Sequence, residues 1–384
     1  MQRVAILEER GLARVEGIPL EPYLGWQHTK MNPLIFNRIG FVALITAFEA
    51  GWLDRQGNFF TLAKYEAEPI RKNADNTADD EQAAAERALV EAQHQFSTVF
   101  VASIATDIKQ SSNLTLRGRT GGAVAALSVA HVGSSSFTLR VELSCGDEDF
   151  GSMLLSFVHV DFKARRPAPL PEGKRVSLDD AKNKNALVTG TAPAAIQRLA
   201  LAQLFQSVAG QRSHAKTFAL RHSDFDFNLH LNQSMYQSFA VDALKESVML
   251  WAGAAAADRT NAAGDSEPSS TATAPTTWVE AFIQSFLRPH DASNQDTSDL
   301  QSVIQKNTLL LDASIETLRM DYLKEIQMPP ITSPSAIAAA VPGVVCHISP
   351  LPEEPHTFLF CIRLDTDAPK EMRSAGVIRL TSTV

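Results

Sequence analysis

The stretch NPLIFNRIGFVALITAFEAGW, residues 32–52, has a counterpart 200 positions later in NQSMYQSFAVDALKESVMLWAG, residues 232–253. Both stretches begin with Asn, a preferred N-cap residue, and Pro33 follows at the first helical position of the earlier one. Both are apolar on almost every side of a helix, which predicts that each helix is buried rather than lying on the surface.

The segments that follow the two helices also repeat. VFVASIATDIKQ (99–110) resembles LLDASIETLRMDYLKE (310–325), since both contain Ala-Ser-Ile-x-Thr. AHVGSSSFTLRVEL (130–143) resembles CHISPLPEEPHTFLFCIRL (346–364). Alternation and many β-branched and aromatic residues predict antiparallel strands in all four segments.

Strands grouped after a helix, rather than alternating with helices, indicate an α+β fold in which an antiparallel sheet wraps around the helix. The repeat divides the chain into residues 1–166 and 213–384. Between them, 167–212 begins with a Pro-rich stretch and predicts a linker with a packing helix at 193–208. We also expect surface insertions at 73–88, 253–277 and 332–342, with the Ala/Ser/Thr-rich 253–277 disordered and tolerant of deletion.

Composition restricts the class of protein. The 384 residues are 45% hydrophobic and carry a formal net charge of −8, which does not favour a general nucleic-acid binder. A small basic patch remains as a docking candidate for an anionic partner, although runs of charge are usually solvated loop residues: Lys163, Arg165, Arg166 and Lys174.

No motif predicts a metal or a cofactor. The three cysteines, Cys145, Cys346 and Cys361, lie in β-like runs without a framework spacing, which predicts reduced, buried thiols. The N-terminus resembles no targeting peptide, and the longest apolar run is too short to span a bilayer, so we expect a cytoplasmic protein.

Chemistry-bearing residues cluster in HSDFDFNLHLNQSMY, residues 222–236, just before the second helix. Polar and apolar residues alternate there, which predicts an extended backbone with Asp226, Asn228 and His230 on one side. The helix that begins near Asn232 adds an electropositive N-terminus. A carboxylate, an amide, an imidazole and such a helix end can activate a water and stabilise an oxyanion. We expect Asp224 to be a turn residue.

This segment resembles the hot-dog-fold thioesterases, most closely the plant and bacterial acyl-carrier-protein thioesterases. Their second hot-dog half carries Asp-x-Asn-x-His, followed by Asn and Tyr in the central helix. The matching positions here are Asp226, Asn228, His230, Asn232 and Tyr236. The family's acidic-Tyr-basic-basic-Glu-Cys strand segment corresponds to residues 321–326, where Glu325 matches and Ile326 replaces the Cys.

The resemblance implies two tandem hot-dog domains, each a sheet wrapped around a central helix, that form an intrachain pseudo-dimer. It implies hydrolysis of a fatty acyl thioester carried by acyl carrier protein or coenzyme A, with no cofactor. Asp226 would act on the thioester carbonyl directly or through water, Asn228 and His230 would hold it or the water, and Glu325 would support them. Asn232 and Tyr236 would contact substrate, although Tyr236 equally fits a core position.

The first half departs from this pattern, because Trp26, His28 and Lys30 stand where the second half has Asp226, Asn228 and His230. We therefore expect one active site per chain. Two alternatives remain open: a hot-dog enoyl-thioester hydratase or dehydratase, and a non-catalytic acyl-binding protein. Whether the chain is a monomeric pseudo-dimer or a homodimer also stays open.

Overall fold

The computed structural model describes residues 2–20, 22, 31–54, 98–109, 122–161, 166–189, 213–225, 230–262, 311, 315–327, 343–351, 354, 356–368 and 371–380. Three α-helices lie within them: α1 (Pro33–Glu49), α2 (Glu172–Thr189) and α3 (Gln233–Ala262). The strands before α2 are β1 (Arg3–Leu7), β2 (Leu12–Ile18), β3 (Thr98–Ile108), β4 (Ala123–Val132), β5 (Ser136–Cys145), β6 (Glu148–Asp161) and β7 (Arg166–Pro167). Those after it are β8 (His214–Phe218), β9 (Ile315–Tyr322), β10 (Val344–Pro350), β11 (Thr357–Leu364) and β12 (Ser374–Leu380).

The described strands form one twelve-stranded sheet in the order β1-β2-β4-β5-β6-β3-β9-β12-β11-β10-β8, with β7 paired to β6. Every pairing among them is antiparallel, which confirms the predicted antiparallel sheet. The order β2-β4-β5-β6-β3 is mirrored by β8-β10-β11-β12-β9. β3 and β9 join the two sets, in a register that runs from Ser103↔Asp321 to Asp107↔Thr317.

Helix α1 packs on the strands of the first half. Phe36, Ile39 and Leu44 are buried in one apolar cluster with inward-facing residues such as Leu139 of β5. The helix begins where the sequence predicted, because Asn32 accepts a hydrogen bond from the Ile35 N–H at 3.0 Å and Pro33 follows it. A cap and a Pro at the first helical position together fix the direction in which the chain enters the sheet.

Helix α3 packs on the strands of the second half. Tyr236, Leu244 and Val248 are buried with residues such as Ile348 of β10 and Phe360 of β11. The segments 130–143 and 346–364, in which antiparallel strands were predicted, contribute to the β4–β5 and β10–β11 pairs. Each repeated set of segments therefore builds the same local arrangement around its own core.

Two expectations about helices need correction. Helix α2 occupies 172–189, in the segment predicted as a linker, and its Leu178 and Ala181 pack in the first cluster. It was missed because the helix is mostly polar and offers only a narrow apolar stripe. The stretch 253–262 belongs to α3 and is not disordered, since its alanines are strong helix formers.

Several expectations fall on other parts of the chain. The predicted helix at 193–208, the insertions at 73–88 and 332–342, and the remainder of 253–277 lie outside the described residues. All three cysteines are free and buried, as predicted. Within the described ranges, no helix combines the length and the apolarity needed to cross a bilayer.

Candidate active site

The segment before α3 reverses direction instead of running as one extended strand. Phe225 and Leu231 form an antiparallel bridge, and the Asn232 N–H donates to the Asp224 carbonyl at 2.8 Å. The expectation of an unbroken extended stretch through 224–232 is therefore wrong. Asp226 and Asn228 lie outside the described residues, so their placement on one side with His230 stays a prediction.

Asp224 explains the local turn. Residues 222–224 form one 3-10 turn, and the buried Asp224 carboxylate accepts a hydrogen bond from the Arg221 N–H at 2.7 Å. A side chain that accepts a hydrogen bond from the nearby backbone offers that backbone an alternative to the hydrogen bonds of a strand. Asp224 is the turn residue that the sequence predicted.

A ladder of one antiparallel bridge and one flanking backbone hydrogen bond places His230 opposite the segment that follows β9. His230 bridges Gln327, and the Leu231 N–H donates to the Ile326 carbonyl at 2.8 Å. Glu325 therefore lies beyond the end of β9, not on the strand as expected. The ladder brings the His230 Nε2 to 3.5 Å from the Glu325 Oε2, so the structure brings these two predicted site residues together.

Gln327, which the sequence analysis did not single out, completes the cluster. Its Nε2 lies 3.2 Å from the His230 Nε2 and 3.2 Å from the Glu325 Oε2. Glu325 and Gln327 are two positions apart, which puts their side chains on one side of an extended segment. That spacing was the available sequence signal.

Arg373, on the turn before β12, holds this segment in place. Its carbonyl accepts the N–H groups of Leu323 and Lys324 at 2.8 and 3.0 Å, and its guanidinium donates to the Glu325 carbonyl at 3.1 Å. The same guanidinium forms a partly buried, two-point ion pair with Asp367 at 2.6 and 2.7 Å. This hydrogen bond holds the pKa of the Asp367 carboxyl below its ordinary value. Sequence spacing gave no indication of this contact.

Tyr236 occupies a core position one turn into α3. It is 3% exposed, and its ring packs edge-on against Tyr322 at a centroid distance of 5.4 Å. Burial raises the pKa of its phenol well above the ordinary range, and the nearby backbone of Ile326 opposes that effect. The geometry thus supports the core interpretation; contact with a substrate stays a prediction.

Asn232 acts as the N-cap of α3. Its Oδ1 accepts the Ser234 N–H at 3.0 Å and the Ser234 hydroxyl at 3.0 Å, while the side chain is exposed. The acceptor atom is therefore engaged by the helix, and the amide NH2 is the group through which Asn232 can contact a ligand.

The first half also contributes to this site. Phe100 of β3 lies 5.6 Å, centroid to centroid, from the His230 ring. His230 itself is 8% exposed, so its ring is confined by its neighbours. Trp26, His28 and Lys30 of the first half lie outside the described residues.

Other candidate features lie elsewhere. Of the predicted basic patch, Arg166 is exposed and Lys174 lines a separate cavity of about 590 Å³ beside Trp52. Burial lowers the pKa of Lys174, while Asp54 opposes that effect. Lys163 and Arg165 are not among the described residues. Within the described ranges, no group of three or more His, Cys, Asp or Glu is arranged to hold a metal ion.

Comparison with known proteins supplies the class of fold. No protein-family model matches the sequence, and no curated protein sequence matches it significantly. Among solved structures, a protein assigned as an oleoyl thioesterase from Lactobacillus plantarum is similar, with a TM-score of 0.51, 13% identity and 97% of each chain covered. A 12:0-ACP thioesterase from Umbellularia californica is similar too, with a TM-score of 0.50, 10% identity and 97% of each chain covered.

The chain shares the hot-dog-like fold of these two thioesterases. The match extends over nearly the whole of all three chains, so it concerns the full arrangement of strands and helices. At identities of 13% and 10%, this similarity shows the fold alone and leaves the activity to be argued from the site.

Proposed function

We propose that this chain hydrolyses fatty acyl thioesters to a free fatty acid and a thiol. The observation that carries the proposal is the cluster of His230, Gln327 and Glu325, within 3.5 Å of one another, with His230 three residues before α3 begins. A carboxylate and an imidazole beside a helix N-terminus provide the hydrogen bonding and partial positive charge that acyl transfer to water requires.

We propose that the chain consists of two tandem hot-dog domains. The N-terminal domain covers 1–166 and the C-terminal domain 213–384, with 167–212 as a connecting segment whose helix α2 packs on the first half. The mirrored strand order and the two helices, each in its own apolar cluster, support this division. The two domains then form a pseudo-dimer within the chain; association into a homodimer is compatible with it.

In the proposed mechanism, Asp226 acts on the thioester carbonyl, directly or by activating a water. Asn228 and His230 position that carboxylate or the water, and Glu325 supports that network. Asn232 and Tyr236 border the substrate on the side of α3. The first half shapes the acyl pocket. The 5.6 Å contact of Phe100 with His230 supports a contribution of the first half beside the site.

A cysteine nucleophile is not part of the proposal. Ile326 occupies the position of the family's Cys, and its side chain is buried in the second core. Burial raises the pKa of the Cys361 thiol to about 12 and that of Cys346 well above its ordinary value. The thiolate is the nucleophilic form, and the raised pKa values keep both thiols protonated, so neither is suited to act as the nucleophile.

The proposed substrate is an acyl thioester of acyl carrier protein or coenzyme A in the cytoplasm. Both carriers are anionic, so the patch of Lys163, Arg165, Arg166 and Lys174 is the proposed docking surface. The similarity in fold to a protein named a 12:0-ACP thioesterase is compatible with the first carrier.

Thiol release tests the proposal. Acyl-CoA and acyl-carrier-protein substrates of increasing chain length are offered to the full chain, to Asp226→Asn and to a matched control, Asp242→Asn, on the exposed face of α3. We expect turnover by the full chain and by Asp242→Asn, with a loss of on the order of a hundredfold or more in Asp226→Asn. Equal turnover by Asp226→Asn would reject the site. Hydration of an enoyl thioester without thiol release would favour a hydratase, and binding without turnover would favour an acyl-binding protein.

A further inference from the structure

We infer that Gln327 sets the tautomer of His230, holding the neutral imidazole with its proton on Nδ1. The catalytic meaning of this inference rests on the proposed thioesterase function, whereas the tautomer itself does not. Gln327 is a positioning residue in this account, because it acts on the substrate only through His230.

The ladder fixes the partners of the interaction. His230 and Gln327 face each other across an antiparallel bridge, where opposite side chains start about 5 Å apart at their Cβ atoms. Next to them, the Leu231–Ile326 hydrogen bond of 2.8 Å holds the two backbones together. The backbones of the two segments therefore place the two side chains opposite each other.

The distances make Gln327 the closer partner of the imidazole. The His230 Nε2 lies 3.2 Å from the Gln327 Nε2 but 3.5 Å from the Glu325 Oε2. An N–H···O bond is strongest near about 2.9 Å and weak at about 3.5 Å. Glu325 alone would draw a proton to Nε2, and Gln327 competes with it for that position.

The carboxylate fixes the orientation of the Gln327 amide. The amide nitrogen lies 3.2 Å from the Glu325 Oε2, to which it donates. Rotating the amide by half a turn would put its oxygen against the carboxylate oxygen, and two acceptors would then face each other without a proton between them. The NH2 group therefore points toward both Glu325 and His230.

An amide NH2 can only donate, so the His230 Nε2 must offer its lone pair to it. In a neutral imidazole the proton then resides on Nδ1, because the hydrogen bond at one ring nitrogen decides the state of the other. His230 thus presents an N–H donor from the edge of the ring away from Glu325. This assigns His230 the role of orienting a carbonyl, a carboxylate or a water, and not that of a base acting through Nε2.

The experiment reads the tautomer directly by nitrogen NMR of the full chain labelled with ¹⁵N-histidine. The chain has 10 histidines, and the His230 signals are assigned by their loss in His230→Gln. Spectra are recorded at about pH 8.5, roughly two units above the ordinary imidazole pKa. Gln327→Glu presents an acceptor to Nε2, whereas Gln327→Lys presents only a donor, so the two variants differ in hydrogen-bond polarity at one position.

We expect a proton on Nδ1 in the natural chain and in Gln327→Lys, and a proton on Nε2 in Gln327→Glu. On the best acyl thioester, kcat of Gln327→Glu should fall by on the order of a hundredfold, with a smaller change in KM and a smaller loss in Gln327→Lys. Circular dichroism and thermal unfolding of each variant show whether it is folded.

A proton on Nε2 in the natural chain, or an unchanged tautomer in Gln327→Glu, would overturn the inference. If Gln327→Glu does not fold, Gln327→Met, which removes the donor without adding an acceptor, must relax the preference for Nδ1; an undiminished preference would overturn it as well. The predicted tautomers in a chain that hydrolyses no acyl thioester would count against the proposed function alone.

Discussion

Asn37 of α1 donates a hydrogen bond of 2.8 Å to Gln237 of α3, a residue 200 positions later in the chain. The two residues occupy equivalent positions in the repeat, and both are 2% exposed. The Thr106 hydroxyl donates to the Asn37 Oδ1 at 2.5 Å, which extends the contact to β3. A buried polar link thus joins the two helices where the two halves meet.

This link predicts coupled effects on stability. Asn37→Leu and Gln237→Met each leave a buried polar partner unsatisfied, so each should lower the free energy of unfolding by about 1–3 kcal/mol. The double variant removes both partners and should lose less than the sum, by about 1 kcal/mol or more. Chemical denaturation of the four proteins measures this difference. Strictly additive losses would show that the link does not couple the halves.

The contact between Phe100 and His230 predicts a catalytic effect of a first-half residue. Phe100→Ala removes the ring beside the imidazole, so we expect kcat/KM for an acyl thioester to fall roughly tenfold, about 1.4 kcal/mol of transition-state stabilisation. Phe41→Ala is the control, since Phe41 is likewise half-buried but packs on the first core from α1. Steady-state kinetics that show the same loss in both variants would contradict a specific role for Phe100.

The pair of Arg373 and Asp367 predicts a pH dependence of stability. The pKa of Asp367 is lower in the folded chain than in the unfolded one. The pair therefore stabilises the fold at pH values above the ordinary carboxyl pKa. That contribution is lost as the pH falls below about 4 and through the lowered folded pKa. Asp367→Asn should therefore be less stable at neutral pH, by roughly 1–3 kcal/mol, and its free energy of unfolding should fall less steeply as the pH is lowered.

Urea unfolding at a series of pH values measures this difference. Arg373→Lys is the informative companion, since it keeps the charge but loses the planar two-point contact, and we expect an intermediate result. Parallel pH profiles for the natural chain and Asp367→Asn would contradict the assigned contribution.

The surroundings of two glycines predict opposite effects of substitution by Ala. A Cβ at Gly376 of β12 would lie 2.2 Å from the Arg319 carbonyl oxygen and 2.3 Å from the Phe360 ring, so Gly376→Ala should prevent or severely weaken folding. A Cβ at Gly40 of α1 would meet the flexible end of Met153 at 2.4 Å, which can move. Gly40→Ala also gains about 1 kcal/mol of helix propensity, so we expect a small net change. Thermal unfolding compares the two, and equal stability of both variants would be inconsistent with this packing.

The repeat of 200 positions predicted much of the architecture. It aligned Phe36 with Tyr236, and the structure places the next residues, Asn37 and Gln237, in contact. The antiparallel strands were predictable because alternation and β-branched residues are local signals. Helix α2 was not, because its few apolar positions carry little periodic signal and its burial comes from neighbours distant in sequence.

The candidate site was predictable only in part. His230 was identified from the alternating pattern and Glu325 from a resemblance, and the structure places them 3.5 Å apart. Gln327, Arg373 and Phe100 join the cluster through a short ladder, a turn and a strand of the other half. Those contacts arise from tertiary packing, which residue spacing within one segment does not encode. The antiparallel bridge between Phe225 and Leu231 was not predicted, because alternation in a sequence indicates one continuous strand.

The most direct test of the central claim, that the chain hydrolyses acyl thioesters, is to trace the oxygen of the attacking water. The full chain and Asp226→Asn are incubated with a saturated acyl thioester in H₂¹⁸O, and the products are identified by mass spectrometry. We predict free fatty acid carrying water-derived ¹⁸O in its carboxylate, an equal amount of released thiol, and neither product from Asp226→Asn above background. Recovery of intact, unlabelled thioester from the full chain, across acyl chain lengths and with both carriers, would contradict the claim.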